Sequence, residues 1–236
     1  MVLKGDYMKR YRNEWKYIID GNSELSLKNK LQGLLKIDDH SNSSGIYVIH
    51  NIYFDDYKNT CAAKTEAGDY ERFKWRIRYY ENDINSLRLE LKEKLYGRCH
   101  KESYPLSYIE YKAIMNMDTS MLWDTESDLL KLFLIDLNCG FRPKVIIEYE
   151  REAYVDTTLN IRVTFDKNIS CSYEFDKFLE GNYIKFPIQK KGICVLEVKF
   201  DDIFPGYLKR AINKECTNQT AFSKYYNGLK MIEVLR

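Results

Sequence analysis

The sequence has too little proline, glycine and histidine for several classes of protein. Its 236 residues include four prolines and eleven glycines, which excludes a linker-rich or low-complexity chain. The three histidines, His40, His50 and His100, are scattered, so a histidine-based zinc site is not expected. None of the six cysteines forms a CxxC pair, and a chain of this length needs no disulfide staples. We therefore interpret the cysteines as reduced thiols of a cytosolic protein.

Long apolar runs are also missing. The opening residues, MVLKGDYMKRYRNEW, contain no apolar stretch of the kind that secretory signals need. No run approaches the ~20 apolar residues of a membrane span. The sequence therefore predicts a cytoplasmic protein, and a membrane anchor, if one exists, would lie on another protein.

The excess of charge is small. There are 37 basic and 35 acidic residues, for a formal net charge of +2. This balance predicts no polyanion partner by itself, so an anion site would have to arise from where the charges are placed. Hydrophobic residues make up 44% and charged residues 31%, as in globular proteins. Without an internal repeat or a clear linker, residues 1–236 are expected to form a single domain.

Period-two alternation predicts strands through most of the chain. The expected strands are Arg12–Ile19, Ile46–Phe54, Phe73–Tyr80, Ser86–Leu95, Lys144–Tyr154, Ile161–Asp166 and Cys194–Phe200. Leucines at helical spacing predict a helix over Leu25–Ile37, followed by a loop of Asp, Ser and Gly at 38–45. Capping signals predict helices after Ser107 and after Thr125, and the stretch from Pro205 is expected to be helical and polar. The fold class is α+β, an antiparallel sheet or barrel with helices packed outside.

Several predicted strands carry a row of charges on one face. Phe73–Tyr80 places Lys74, Arg76 and Arg78 on the face opposite its aromatic residues. Ser86–Leu95 places Arg88, Glu90, Lys92 and Lys94 on the face opposite its leucines. The ordinary interpretation is a solvated sheet face. Because like charges along a strand are unfavourable unless compensated, the alternative is a β-barrel tunnel with a charged lumen that holds a chain of phosphates. Glutamates between the cations would then be suited to a divalent ion.

Eight short motifs carry a resemblance to a known family. In chain order they are E-x-K-Y-x-I at Glu14–Ile19, N-x-YFD at Asn51–Asp55, R-x-K-x-R-x-R-x-Y at Arg72–Tyr80, E-x-K at Glu90–Lys92, RPKVIIEYEREAY at Arg142–Tyr154, R-x-T-x-D at Arg162–Asp166, LEVK at Leu196–Lys199 and SKY at Ser223–Tyr225. Over Tyr11–Leu229 the chain resembles the VTC domain, the polyphosphate polymerase module of the vacuolar transporter chaperone complex, and its bacterial relatives. That domain belongs to the triphosphate tunnel metalloenzymes. Trp15 and the segment Ser172–Lys191 depart from the pattern.

The resemblance implies a set of site residues. The residues matched to catalytic contacts with phosphate are Arg76, Arg78, Lys92, Arg151 and Lys199, and those matched to substrate binding are Lys16, Tyr149, Arg162, Ser223 and Lys224. Glu197 is implied as the principal ligand of Mn²⁺ or Mg²⁺, with Glu14 and Glu90 either as further ligands or as partners that orient arginines. Tyr149 is alternatively a packed side chain, and Asp166 is interpreted as a structural ion-pair residue.

The implied activity is transfer of the ATP γ-phosphate to pyrophosphate or to a growing polyphosphate chain. Two alternatives stay open, which are a triphosphatase or nucleotide phosphohydrolase of the same fold, and a non-catalytic sensor of polyphosphate or nucleotide. The resemblance also implies a separate membrane protein as a partner, with the chain at the inner face of the membrane. Nucleic acid is not an expected partner, because neither aromatic stacking motifs nor a large positive net charge is present.

Overall fold

A computed structural model describes residues 9–38, 45–216 and 218–235, and its strands form one antiparallel sheet. The strands are β1 (Arg12–Asp20), β2 (Lys36–Ile37), β3 (Ile46–Asp55), β4 (Glu71–Tyr80), β5 (Asp83–Leu95), β6 (Arg98–Pro105), β7 (Arg142–Asp156), β8 (Ile161–Ser172), β9 (Phe186–Pro187) and β10 (Ile193–Phe200). All of the strands expected from alternation are present. The expected α+β class with an antiparallel sheet is therefore confirmed.

Eight of these strands close into a ring. The hydrogen-bonded order is β7, β3, β4, β5, β6, β1, β10 and β8, and β8 pairs back with β7. The short strands β2 and β9 attach to β7 and β8 outside this ring. The ladder between β1 and β6 is brief, with two residue pairs. Beyond these two pairs, the edge of β1 is contacted by the segment 219–220, where the Thr220 N–H donates a 2.8 Å hydrogen bond to the Lys16 carbonyl.

Helices cover the outside of the ring. They are α1 (Gly21–Gln32), α2 (Thr60–Ala67), α3 (Tyr108–Met115), α4 (Asp128–Asn138), α5 (Gly206–Glu215) and α6 (Lys224–Leu235). Ser107 and Glu110 form the expected capping box of α3, whereas α4 begins after Ser127 instead of Thr125, since the Ser127 hydroxyl accepts the Leu130 N–H. Among the described helices, none is long and apolar enough to cross a bilayer.

The expected helix over Leu25–Ile37 is wrong at both ends. Helix α1 begins at Gly21, because the Asp20 carboxylate accepts the Ser23 N–H and caps it, and the helix ends at Gln32. Residues Lys36–Ile37 instead pair with β7 as β2. Most of the expected Asp, Ser and Gly loop, at 39–44, lies outside the described residues.

Alternation did not predict β6 or α2. On β6, Lys101 and Ser103 lie on one face while His100 and Glu102 lie on the other, so the strand has no apolar face to reveal its period. Helix α2 begins where the buried carboxylate of Asp55 accepts the N–H groups of Cys61 and Ala62, each at 3.0 Å. The hydrogen bonds to Asp55 link the end of β3 to the first turn of α2, and neither alternation nor a capping motif in the sequence predicts this link.

The apolar face of the ring packs under the helices. On β4, Trp75, Ile77 and Tyr79 are fully buried, and the Trp75 ring lies 4.9 Å from the Phe133 ring of α4. The Tyr79 hydroxyl donates a 2.7 Å hydrogen bond to the carbonyl of Phe178. Phe178 belongs to the segment Ser172–Lys191, so this departure from the motif pattern is a cover over the outer face of the sheet.

Helix α6 packs closely on β7 and β8. The expectation of a polar C-terminal helix is wrong here, because Leu229 and Ile232 are buried. At Gly228 an added Cβ would lie 2.2 Å from Ile147 Cδ1 and 3.3 Å from Cys171 Cβ. The close approach allowed by Gly228 holds the first residue of α6 against the ring.

The substitution Gly228→Ala should therefore destabilise the protein. The added methyl group overpacks a buried contact, and such changes typically cost about 1–3 kcal/mol. Chemical denaturation measures the free energy of unfolding. Gly206→Ala is the matched control, since a Cβ there would meet Arg210 Nη1 at an ordinary 3.5 Å. Equal stability of the two variants would show that α6 does not need the close contact.

Candidate functional site

A cavity of about 1010 Å³ is lined by residues from all eight strands of the ring. Residues Gln219–Tyr225, at the start of α6 and just before it, complete the lining. Fourteen of the lining residues are lysine or arginine and three are glutamate. A chain with a net charge of only +2 therefore concentrates its positive charge around this cavity.

All thirteen residues that the motifs implicated line this cavity. They are Glu14, Lys16, Arg76, Arg78, Glu90, Lys92, Tyr149, Arg151, Arg162, Glu197, Lys199, Ser223 and Lys224. They come from seven elements that are far apart in sequence. The structure brings the set together, and the role of each residue stays a prediction.

Like charges face one another across β4 and β5. Three cation pairs lie directly opposite in the register, Arg72 with Lys94, Lys74 with Lys92, and Arg78 with Arg88. The remaining pair on this face is Arg76 with Glu90. Directly opposed like charges destabilise a sheet, and this face carries more positive charge than Glu14 and Glu90 compensate. An anion bound between the two strands would compensate it.

Glu90 holds Arg76 in place. Its Oε2 accepts a 2.7 Å hydrogen bond from Arg76 Nε, and its Oε1 accepts a 2.8 Å bond from Lys101 Nζ. Burial opposes ionisation, but Arg76 and Arg78 outweigh it and hold the pKa of Glu90 well below its ordinary value. Both carboxylate oxygens are occupied, which matches the interpretation of Glu90 as an orienting partner.

Arg78 keeps its charge largely unneutralised. Its Nε donates to Asn51 Oδ1 at 2.8 Å and its Nη2 donates to the Tyr149 hydroxyl at 3.0 Å. The Glu90 carboxylate approaches only to 3.9 Å. Neutral acceptors thus fix the guanidinium while leaving its charge to act on the cavity, and Tyr149 contributes to this positioning.

Arg151 and Lys224 share one carboxylate. Arg151 makes a bidentate contact with Asp166 at 2.6 and 2.7 Å, and Lys224 Nζ donates to the same carboxylate at 2.5 Å. Burial works against ionisation of Asp166, but the two cations keep its pKa below the ordinary value. Asp166 is fully buried, so it is the structural ion-pair residue that the sequence suggested, and it ties α6 to β8.

Glu14 and Glu197 lie among three lysines. Lys92 Nζ is 2.6 Å from Glu14, Lys199 Nζ is 2.6 Å from Glu197, and Lys16 Nζ is 3.4 Å from both carboxylates. Burial and the neighbouring Glu197 oppose ionisation of Glu14, yet the lysines hold its pKa below the ordinary value. Both groups are therefore carboxylates at neutral pH.

These two carboxylates are better candidates for a divalent cation than Glu90, because each has one oxygen that Lys16 approaches only to 3.4 Å, whereas both oxygens of Glu90 accept hydrogen bonds of 2.8 Å or less. Carboxylate oxygens are the ligands that Mg²⁺ and Mn²⁺ prefer, and phosphate oxygens commonly complete such sites. Within the described ranges, the one group of three ligand atoms close enough to share an ion is Glu93, His100 and Glu102. That group lies outside the cavity lining, and Lys9 contacts both of its glutamates, at 2.8 and 3.4 Å.

Two further predicted residues are already engaged within the protein. Arg162 pairs with Asp38 and donates a 2.9 Å hydrogen bond to the Tyr47 hydroxyl. Ser223 accepts a 2.8 Å hydrogen bond from Lys74 Nζ. Both side chains still line the cavity, so a ligand there would contact groups whose geometry is preset.

Several cavity cations were not implicated as site residues by the motifs. They are Arg12, Arg72, Lys74, Arg88, Lys94 and Lys101. Lys74 could have been predicted as a site residue, because it lies on the same strand face as Arg76. Lys101 could not, because its strand β6 has no apolar face that would show which side chains point inward. Lys74 has no carboxylate within 4.0 Å in the described part of the chain. Burial, followed by Lys16 and Lys92, lowers the pKa of Lys74 to about 7.

The ring of antiparallel strands around a basic cavity defines a class of anion-binding fold, and sequence comparison identifies the family. The model of the VTC domain matches residues 11–233, nearly the whole chain. This chain therefore belongs to the VTC domain family. No curated protein matches the sequence.

Solved structures similar to this chain are distant from it in sequence. A "putative adenylate cyclase" from Bacillus halodurans has a TM-score of 0.53 and 14% identity, and the match covers 91% of this chain and 95% of that chain. A conserved hypothetical protein from Pyrococcus furiosus has a TM-score of 0.48 and 12% identity, with 92% of this chain and 99% of that chain covered. The first likeness shows the fold alone.

Binding of a polyanion such as tripolyphosphate should take up a proton at Lys74 above about pH 7. A bound polyanion favours the charged ammonium and raises its pKa from the value in the empty cavity. The contribution of Lys74 to the affinity is therefore largest below pH 7, where its ammonium is already charged, and falls as the pH rises further. Calorimetry in two buffers of different ionisation enthalpy measures the uptake.

Lys74→Arg is the matched control, because it keeps the charge and removes the titration. At pH 8 the wild-type protein should take up more protons than this variant, by up to about one proton per ligand. Protonation of the ligand itself contributes to both measurements alike. Equal uptake by the two proteins would contradict the assignment.

Proposed function

We propose that this chain is a polyphosphate polymerase that transfers the γ-phosphate of ATP to pyrophosphate or polyphosphate within the ring. The observation that carries the proposal is the cavity, with fourteen basic and three acidic side chains from seven strands and helix α6. Fixed cations of this density need a ligand with many negative charges. Membership of the VTC domain family supports phosphate chains as that ligand.

We further propose that the cavity is a tunnel with a charged lumen, open at both ends, and that residues 1–236 form one domain. The closed hydrogen-bonding order of the eight strands supports this view, since a product chain could then leave without passing back over the donor. A cytoplasmic location at the inner face of a membrane, through a separate membrane protein, stays a prediction of the family resemblance.

The proposal gives the cavity cations two kinds of role. Arg76, Arg78 and Arg151 are held by hydrogen bonds in fixed orientations, which suits planar contacts with phosphate oxygens. Lys92 and Lys199 place point charges beside Glu14 and Glu197, where the transferred group would lie. The remaining predicted contacts, Lys16, Tyr149, Arg162, Ser223 and Lys224, bind the donor and the product chain.

The proposed step needs little covalent help from the protein. A terminal phosphate oxygen of the acceptor forms a bond to the γ-phosphorus while the bond from that phosphorus to the β–γ bridging oxygen breaks, and ADP leaves with that oxygen. The acceptor oxygen is already ionised near neutral pH, so no strong base is required. The cations position the two phosphates against their mutual repulsion and stabilise charge in the transition state. A Mn²⁺ or Mg²⁺ ion held by Glu197 and Glu14 would add neutralisation of phosphate oxygens.

One assay tests the proposal against its alternatives. The purified protein is incubated with ATP, Mn²⁺ and pyrophosphate, and the products are separated on a polyphosphate gel. A ladder of chains supports the polymerase. Free phosphate without a ladder would replace it with a phosphohydrolase, and binding without turnover would replace it with a sensor.

The substitution Glu197→Gln should abolish turnover without abolishing binding. The amide is a poor metal ligand, so we expect a loss of activity on the order of 100-fold or more. Loss of the carboxylate also leaves Lys199 with only the longer, 3.7 Å contact to Glu14, so tripolyphosphate should still bind in EDTA. Gel assay and calorimetry measure the two effects.

Glu93→Gln is the control for this prediction. Glu93 lies on the opposite face of β5 and outside the cavity, and its carboxylate contacts Lys9. The activity of the Glu93→Gln variant should equal that of the wild-type protein. Unchanged turnover in Glu197→Gln would remove Glu197 from the proposed metal site.

A further inference from the structure

Two exposed tyrosines lie where the inward faces of β4 and β5 end. Tyr70 precedes β4 and Tyr96 follows β5, and the Tyr96 N–H donates a 3.1 Å hydrogen bond to the Tyr70 carbonyl. Their rings stack with centroids 5.9 Å apart. Tyr70 is 74% exposed and Tyr96 is 78% exposed, which is unusual for a stacked aromatic pair. These two residues are called the tyrosine pair below.

Tyr96 occupies a backbone position that disfavours it. With Gly97 it forms the two-residue turn between β5 and β6, and the two φ angles are +45° and +84°. A turn with both φ positive prefers Asn or Asp followed by Gly, because an ordinary side chain is strained in the left-handed region. Folding alone therefore favours another residue here. Strain at an exposed aromatic is a common sign of a functional contact.

A second pocket, of about 580 Å³, is lined by the tyrosine pair at the end of the β4–β5 ladder. Glu71 and Leu95 line this pocket, while the next residue pair along the strands, Arg72 and Lys94, lines the cavity. Because successive residues of a strand face opposite sides of the sheet, the two spaces lie on opposite faces at this step, and a ligand would pass between them around the strand ends, where Tyr70 and Tyr96 lie. The volume is in the range of small-molecule sites.

The chemistry changes sharply at that step. The tyrosine side offers aromatic rings and the carboxylates of Asp69 and Glu71. The cavity side offers successive cation pairs, first Arg72 with Lys94 and then Lys74 with Lys92. A nucleotide has the same polarity, with an aromatic base and hydroxyl donors at one end and phosphates at the other. Carboxylates repel phosphate, so they would favour only one orientation.

We propose that the tyrosine pair is a nucleobase-binding site, which stacks the base of the nucleoside triphosphate and directs its phosphates past Arg72 and Lys94 into the cavity. This inference rests on the proposed function, because it assigns the donor nucleotide to one end of the ring. Base stacking on tyrosine is tolerant of base identity. The tyrosine pair would therefore add affinity for a nucleotide, which has a base to stack, and none for inorganic polyphosphate, which has no base.

The test compares a ligand that has a base with one that lacks it. ATP and inorganic tripolyphosphate are titrated by calorimetry in EDTA, which prevents turnover. Tyr96→Asn should weaken ATP binding by about tenfold, the effect of one lost stacking contact, and leave tripolyphosphate binding within about twofold. Asn is a preferred residue of this turn, so the variant should be at least as stable to denaturant as the wild-type protein. Tyr70→Ser should act in the same direction.

Tyr57→Ser is the matched control. Tyr57 is also 78% exposed and lies outside both spaces, so both affinities should be unchanged. Unchanged ATP affinity in both tyrosine variants, with tripolyphosphate still bound, would overturn the nucleobase site and leave the proposed function standing. Equal weakening of both ligands would also overturn it, because the loss would then follow the phosphates. A wild-type protein that binds neither ligand would overturn the proposed function and this inference together.

Discussion

Repulsion among cations in a closed ring of strands is the constraint on which the rest of the structure depends. Three cation pairs face each other across β4 and β5, and the lining has fourteen basic side chains against three glutamates. Such an arrangement is unfavourable on its own, and burial together with the charges of Lys16 and Lys92 lowers the pKa of Lys74 to about 7. The protein keeps these groups together because the β-pleat fixes where they point. A bound polyanion would turn this repulsion into attraction.

The outside of the ring provides the stability that the inside lacks. Trp75, Ile77 and Tyr79 alternate with the cations on β4 and are fully buried under the helices and the segment Ser172–Lys191. Burial of large aromatic side chains is strongly favourable. The same strand thus carries both the core and the site. Carboxylates such as Glu90 and Asp166 orient particular arginines and leave most of the positive charge free.

Local periodicity predicted the inward face of the strands, because alternation is a property of one strand at a time. The spacing around Arg76 and Glu197 therefore located the cavity residues correctly. Lys101 was not implicated, because its strand has polar side chains on both faces. The pKa of Lys74 could not be predicted, since it depends on burial inside the ring and on Lys16 from β1 and Lys92 from β5. The end of α1 and the cover formed by Ser172–Lys191 are likewise set by contacts between distant segments.

The most direct test of the central claim is the free energy of unfolding of the double variant Arg72→Gln, Lys94→Gln, measured with and without tripolyphosphate. The account predicts that the variant is as stable as the wild-type protein or more stable without ligand, by about 0.5 kcal/mol for a relieved like-charge pair. It also predicts that tripolyphosphate stabilises the variant less than the wild-type protein. A variant that is less stable alone and equally stabilised by the ligand would contradict it.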